Sequence, residues 1–347
     1  MALIEDYALI GDLQTAALVG RDGSIDWCCF PRFDSGACFA ALLGDDENGR
    51  WRIAPVGAQV SSTWRYRSGT LVLETDWETE TGAVRVIDFM PPRGYAPDIV
   101  RIVEGLHGHV DIRAELAIRF DYGSVVPWVR QVDDALLAIA GPDLLCLRTP
   151  AETHGEDLRT VSEFRISQGE RVPFALTWHP SHEGLPDRID PEQALRDADE
   201  FWDDWSGRCT YEGEWSEHVI RSLIVLKALT YAPTGGIVAA PTTSLPEFIG
   251  GERNWDYRYC WLRDTTLTLL AFLSSGYTEE AAAWRSWLLR AVAGNPGQAQ
   301  VLYGLGGERR LGEIELPWLA GYEGSKPVRV GNGACEQLQI DVFGEVM

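Results

Sequence analysis

Arg253-Asn254-Trp255-Asp256-Tyr257-Arg258-Tyr259-Cys260-Trp261-Leu262-Arg263-Asp264 runs straight into Thr265-Thr266-Leu267-Thr268-Leu269-Leu270-Ala271-Phe272-Leu273. Four aromatic and five charged side chains crowd into the first twelve residues, at the mouth of an apolar helix. A pyranose presents hydroxyls that need directional partners and a flat C–H face that stacks on aromatic rings. Tyr257, Tyr259 and Trp261 supply a stacking surface, while Arg263 and Asp264 supply charge-assisted bonds to hydroxyls. Taken alone, an aspartate at a helix start reads as a cap or as a complement to the positive helix end. The aromatics tip the reading toward a sugar subsite, because a cap has no use for them.

Outward from this stretch the chain divides into two regimes. Residues 8–180 read as strand after strand with frequent turn signals, including 16–19 and 24–29 around Gly20-Arg21-Asp22-Gly23, and 70–77 and 83–89 around Glu80-Thr81-Gly82. Further strands fall at 99–106 and 110–120, separated by a turn at Gly105-Leu106-His107-Gly108-His109, and then at 125–132, 135–140, 144–149, 159–167 and 171–178. So many short strands without long helices imply an antiparallel β-sandwich. Asp190-Pro191-Glu192-Gln193 then combines an N-cap, proline at the first helical position and a capping-box glutamine, so a helix starts at Pro191. Its Trp202 and Trp205 sit at helical spacing with other apolar residues and read as packing. Helices follow at 217–231, 265–273, 279–293 and 333–346, between long loops rich in Gly and Pro. The fold class is therefore multidomain β plus α.

Bulk numbers exclude several partners. The chain has 347 residues, 45% hydrophobic and 24% charged, with a formal net charge of -22. Nucleic acid and anionic membranes both require a basic footprint, and 30 Lys+Arg stand against 52 Asp+Glu. No stretch of about 18 apolar residues is present to span a bilayer, and the amino terminus carries no secretory signal pattern, which points to a cytoplasmic location. Seven cysteines without Cys-x-x-Cys spacing argue for reduced thiols rather than a disulfide framework or a zinc knuckle. His107 and His109 lack further ligands nearby in sequence, so no metal is expected.

The central stretch resembles glycoside hydrolase family 15, the glucoamylase and trehalase family. Thr242-Thr243-Ser244-Leu245-Pro246-Glu247 ahead of it and Gly321-Tyr322-Glu323-Gly324-Ser325-Lys326-Pro327-Val328-Arg329-Val330-Gly331-Asn332 after it strengthen the match. Ile4-Glu5-Asp6-Tyr7-Ala8-Leu9-Ile10-Gly11-Asp12 and Asp22-Gly23-Ser24-Ile25-Asp26-Trp27-Cys28-Cys29-Phe30-Pro31 resemble the amino-terminal domain of bacterial members. The resemblance implies an N-terminal β-sandwich over 1–182, a linker helix over 183–213 and a partial (α/α)6 toroid over 214–347. It implies inverting hydrolysis of an α-glucoside without a cofactor, with Arg263 and Asp264 gripping a non-reducing-end glucose between Trp261 and Tyr257. Tyr322 and Arg329 join as candidate sugar contacts, or belong to a tight loop whose glycines only permit the turn.

The departures matter as much. Trp77-Glu78 lies in a strand-like run and Glu313-Ile314-Glu315 has no aromatic before it, so no aromatic-Glu motif of the family's general acid is present. Asp341 and Glu345, four apart, read as a solvated helix face. No catalytic residue is assigned. The resemblance places the acid and base glutamates beyond Met347, so the chain reads as a hydrolase cut within its barrel and inactive in this form. Its exposed helical faces then favour oligomers or poor solubility. Two competing functions share these features: an inverting disaccharide phosphorylase, which pairs a sandwich with an α/α toroid, and a non-catalytic sugar-binding protein. Phosphate dependence separates the first, and sugar binding without turnover the second.

Overall fold

Alternating apolar and polar residues in the first half build fifteen strands into one hydrogen-bonded antiparallel system. The computed structural model describes residues 2–57 and 59–346. These form two compact units, the first reaching residue 203 and the second running from 204 onward with the short pieces Leu13–Thr15 and Arg32–Asp34.

One strand of twenty residues, Asp98–Ala117, organises the first unit. Its first half pairs with Gly82–Phe89 and Arg171–Pro180, and its second half with Arg50–Pro55 and Arg159–Ser167. The turn expected at 105–109 is thus corrected: the chain passes from one sheet to the other without reversing. Gly108 makes this possible, since it adopts φ +61° and a Cβ there would lie 2.2 Å from the Thr81 carbonyl oxygen. His107 and His109 consequently stand on a strand, His107 Nε2 being 3.2 Å from Glu78.

Strand alternation then sorts side chains between two cores. Val84, Val86, Ile99 and Val103 enter the core between the sheets with Trp51, Trp77 and Phe174. Their neighbours Ile87, Phe89, Val100 and Ile102 face the other way and receive Ala194, Leu195 and Ala198 of helix α1, Pro191–Ser206. Asp190 caps that helix, its Oδ1 accepting from the amides of Glu192 and Gln193 at 3.0 and 3.1 Å. The helix read as a linker is therefore packed on the sheet, where burying a leucine is worth roughly 1.5 to 3 kcal/mol.

The second unit contains helices α2 (Ser216–Ala228), α3 (Leu262–Ser274), α4 (Thr278–Ala291) and the short α5 (Val342–Val346). Trp205 stacks on Tyr277 at 4.2 Å, and its Nε1 donates to Glu280 at 2.7 Å. Trp202 and Trp205 are both buried, as their spacing predicts. The helix expected over 333–346 is corrected to a 3-10 turn, Gly333–Glu336, and α5. Gln337 turns extended between them, and Leu338 and Ile340, whose spacing suggested a buried face, are exposed. Leu267, Leu270 and Leu273 leave an apolar stripe of α3 open. No helix among the described residues is long and apolar enough to cross a membrane.

Candidate functional site

Period-two alternation continues through the central stretch, and it decides which residues meet solvent. Asn254, Asp256, Arg258, Cys260 and Leu262 are fully buried. Arg253, Trp255, Tyr257, Trp261 and Arg263 point the other way and line a cleft of about 530 Å³. The intervening Tyr259 is 6% exposed and faces inward, so it is removed from the expected stacking surface. Asn254–Asp256 pairs with Thr243–Pro246, and Cys260–Trp261 with Leu302–Tyr303, which holds both ends of the stretch extended.

Beneath the cleft lies an ion pair with no solvent contact. Arg258 donates through Nε to Asp256 Oδ1 at 2.9 Å and through Nη2 to Oδ2 at 2.7 Å. Two buried charges are tolerable only when paired and hydrogen-bonded. Asp256 Oδ2 also accepts from the Gly331 amide at 3.1 Å, and its carbonyl accepts from Asn332 Nδ2 at 2.9 Å. Gly331 has to be glycine: its φ is +84°, and a Cβ would lie 2.0 Å from the Gly312 carbonyl oxygen. The pair thus clasps the loop at 331–332 against the central stretch and brings Asn332 and Gly333 to the cleft wall.

Of the expected site residues, Tyr257, Trp261 and Arg263 line the cleft, whereas Asp264, Tyr322 and Arg329 do not. Tyr257, Trp261 and Arg263 share the cleft, with the Tyr257 and Trp261 rings 6.2 Å apart and the Arg263 guanidinium 5.9 Å from the Trp261 ring. Burial raises the Tyr257 phenol above its ordinary pKa, and the nearby Glu247 and Asp264 carboxylates add to the rise. Helix α3 begins three residues earlier than its apolar run, so Arg263 and Asp264 occupy its first turn. Asp264 is not the cap, since the N-cap is Trp261 and has no side-chain capping bond. Asp264 Oδ2 is enclosed without a hydrogen-bond partner, the Arg263 Nη2 being 3.6 Å away. Trp261 Nε1 is enclosed and unpartnered too.

Neither Tyr322 nor Arg329 lines the cleft. Tyr322 is buried in the turn Tyr322–Gly324. Arg329 sits 4.7 Å from the Trp255 ring, donates to the Glu252 carbonyl at 2.8 Å and pairs with Glu313 at 3.1 Å. It props Trp255 from the rear. Residues not anticipated also line the cleft: Trp255, Glu247, Arg253, Glu313, Gln337 and Gln339. For Trp255 and Arg253 the signal was present, since both share the odd-numbered face of Tyr257 and Trp261. Glu247 closes the stretch at 242–247 just ahead, whereas Glu313, Gln337 and Gln339 come from distant segments and carry no local mark.

The two units have a known counterpart in fold. A crystal structure of a bacterial glucoamylase complexed with acarbose is similar at a TM-score of 0.62 and 12% identity, over 88% of this chain and 52% of that chain. The architecture is thus glucoamylase-like. In sequence, residues 1–162 match the model of the trehalase-like N-terminal region and residues 213–347 that of glycosyl hydrolases family 15. The trehalase of Mycolicibacterium smegmatis is 36% identical over 99% of this chain and 56% of its own length, and that of Mycobacterium tuberculosis 34% identical over 99% and 55%. The second unit is thus similar to glycosyl hydrolases family 15 and the first to the trehalase-like N-terminal region. It spans little more than half the length of these curated relatives.

Proposed function

We propose that the cleft seats a non-reducing-end glucosyl unit of trehalose or a short α-glucan, as part of an inverting α-glucoside hydrolase of the trehalase or glucoamylase type. The observation that carries this reading is the cleft lining itself, in which Trp255, Tyr257, Trp261 and Arg263 share one face and the enclosed donor Trp261 Nε1 has no hydrogen-bond partner. Leaving a buried polar atom unsatisfied costs about 1 to 3 kcal/mol, and sugar hydroxyls both accept and donate. Trp255, Tyr257 and Trp261 add stacking faces, and Arg263 a charged donor.

Inverting hydrolysis needs an acid and a base about 6.5 to 9.5 Å apart across the sugar. The cleft carboxylates Glu247 and Glu313 are instead each paired with an arginine, Arg253 at 3.5 Å and Arg329 at 3.1 Å. We assign them to holding the walls, and assign no residue here to proton transfer. The proposal keeps 1–182 as the sandwich domain, 183–213 as its connection and 214–347 as part of an (α/α)6 toroid, whose inner helices would include α3. Seven free cysteines fit a reducing, cytoplasmic setting.

Calorimetric titration with trehalose and maltotriose tests the site. Asp264→Ala and Trp261→Ala should each weaken sugar binding by roughly tenfold, the loss of one good polar or stacking contact. An unchanged isotherm in Asp264→Ala removes the assignment.

A further inference from the structure

A second cleft, of about 570 Å³, lies entirely within the first unit. Its floor forms where strand Asp98–Ala117 meets strand Arg171–Pro180 and Asp98 stands opposite Thr177. Thr177 and His179, two residues apart, share one face of their strand. Thr177 Oγ1 donates to Asp98 Oδ1 at 2.5 Å. His179 is 6% exposed, its Nε2 lies 3.6 Å from Glu183, and its Nδ1 is enclosed with no hydrogen-bond partner. At the mouth the Tyr95 ring is 79% exposed and yet oriented. Its hydroxyl donates to Glu183 at 3.0 Å, and its ring centre is 5.9 Å from that of His179.

The charges around this cleft narrow the ligand. Arg188 on its rim is already paired with Asp134 at 2.7 Å in an exposed ion pair, so an anion there would compete with that carboxylate. Asp190 is occupied by the amides it caps, and Asp197 accepts from Gln193 at 2.6 Å. On the floor a cation would meet Asp98, whose carboxyl is pushed up to about 6 by burial, with the Asp12 charge adding to the rise, and the other aspartate of the lining, Asp187, is exposed to solvent. A hydroxyl suits the floor better. It can donate to or accept from His179 Nδ1 in either tautomer, and it can do the same with Asp98 whether or not the carboxyl holds a proton. A ring that offers several hydroxyls on its edge and an apolar face toward Tyr95 is a sugar.

We propose that the first unit carries a second carbohydrate site, in which Asp98 and His179 bind hydroxyls of a neutral mono- or disaccharide whose ring stacks on Tyr95. The site does not depend on the reading of the cleft in the second unit. Its role is to hold sugar without reacting, since Asp98 and His179 work only as hydrogen-bonding partners.

The chain has six histidines, so the imidazole Cε1–H signals in a proton NMR spectrum are few, and the one lost in His179→Gln identifies His179. Titrating the full chain with trehalose or maltose should move that signal saturably. In Tyr95→Ala the midpoint should rise roughly fivefold, as expected for one lost stacking contact. Tyr95 is exposed, so this variant should melt as the parent does. Trp261→Ala should leave the His179 titration unchanged. The proposal is overturned if neither sugar moves the signal, if Tyr95→Ala leaves the midpoint in place, or if Trp261→Ala abolishes the shift. It is equally overturned if sodium phosphate or choline chloride moves the signal where the sugars do not.

Discussion

Both units bury an arginine–aspartate pair out of solvent, yet the two pairs do different work. In the first, Asp88 and Arg101 face each other across a regular ladder and meet at 2.7 Å. Arg101 also donates to the carbonyls of Trp51 and Gly23 at 2.7 and 2.8 Å. Strand Gly82–Phe89 is already paired along its length with Asp98–Ala117, so the pair adds register to a ladder that exists without it. In the second unit Asp256 and Arg258 sit two residues apart in a stretch whose ladders are two to four residues long. There the carboxylate itself receives the Gly331 amide, and the side chains take over what a sheet would otherwise supply. A buried ion pair is thus an accessory in regular structure and a framework in irregular structure.

Replacing one member of each pair is the sharpest way to break this comparison. Asp256→Ala should destabilise the second unit by about 3 to 5 kcal/mol, because it strands a buried guanidinium. It should also abolish sugar binding in the second unit's cleft, since the loop at 331–332 loses its anchor. Asp88→Ala should cost about 3 kcal/mol, the lower end for a broken buried pair, and leave that binding intact. Urea unfolding with calorimetry on the same samples checks both. Equal losses of sugar affinity in the two variants would remove the distinction.

Acid titration sharpens the contrast by its sign. Asp98 in the first unit has a folded pKa of about 6 against 3.8, raised by burial, with only the Thr177 hydroxyl as a close opposing bond. The folded state then binds more protons than the unfolded one, so stability falls as pH rises from 3.8 to about 6. That slope amounts to at most about 2 to 3 kcal/mol, and Asp98→Asn should flatten it. For Glu280 in the second unit, burial alone would raise the pKa. The Trp205 indole and the Lys227 ammonium outweigh burial and lower it below 4.5. Its contribution is complete above 4.5 and is lost as pH falls through the lowered value, a slope of opposite direction. Melts recorded across this range for wild type, Asp98→Asn and Glu280→Gln should separate the two, and a wild-type slope that persists in Asp98→Asn would refute the first.

The smallest effect concerns Arg329, which backs Trp255 without reaching the cleft. Arg329→Lys keeps a charge near Glu313 and loses the planar contact, so sugar affinity should fall by only about two- to fivefold, or 0.5 to 1 kcal/mol. A loss as large as that of Asp264→Ala would make Arg329 a direct sugar contact instead.

Much of the fold was legible because its signals are local. Alternation over 83–89 and the strand signal over 171–178 announced the strands found at Gly82–Phe89 and Arg171–Pro180, and Asp190-Pro191-Glu192-Gln193 announced α1. The errors arose where backbone geometry overrode pattern. Gly108 looked like a turn residue, yet its positive φ lets a strand change sheets. Leu338 and Ile340 looked like a helical face, yet they are exposed. For the candidate site, Tyr257, Trp261 and Arg263 were visible through their chemistry and spacing. Glu313, Gln337 and Gln339 were not, because they reach the cleft from segments roughly 50 to 80 residues away in sequence, where no short pattern links them.

By itself the sequence determined the period of each segment, the cap of α1 and the concentration of aromatic and charged side chains at 253–264. Those properties depend on residues within a few positions of one another. Only the tertiary structure decided that Asp256 and Arg258 turn inward as a clasp while Trp255 turns outward, and that Asp264 lies in a helical first turn with one oxygen lacking a hydrogen bond. Such choices depend on what the rest of the chain brings alongside. The Gly331 amide that completes the Asp256 clasp is 75 residues distant.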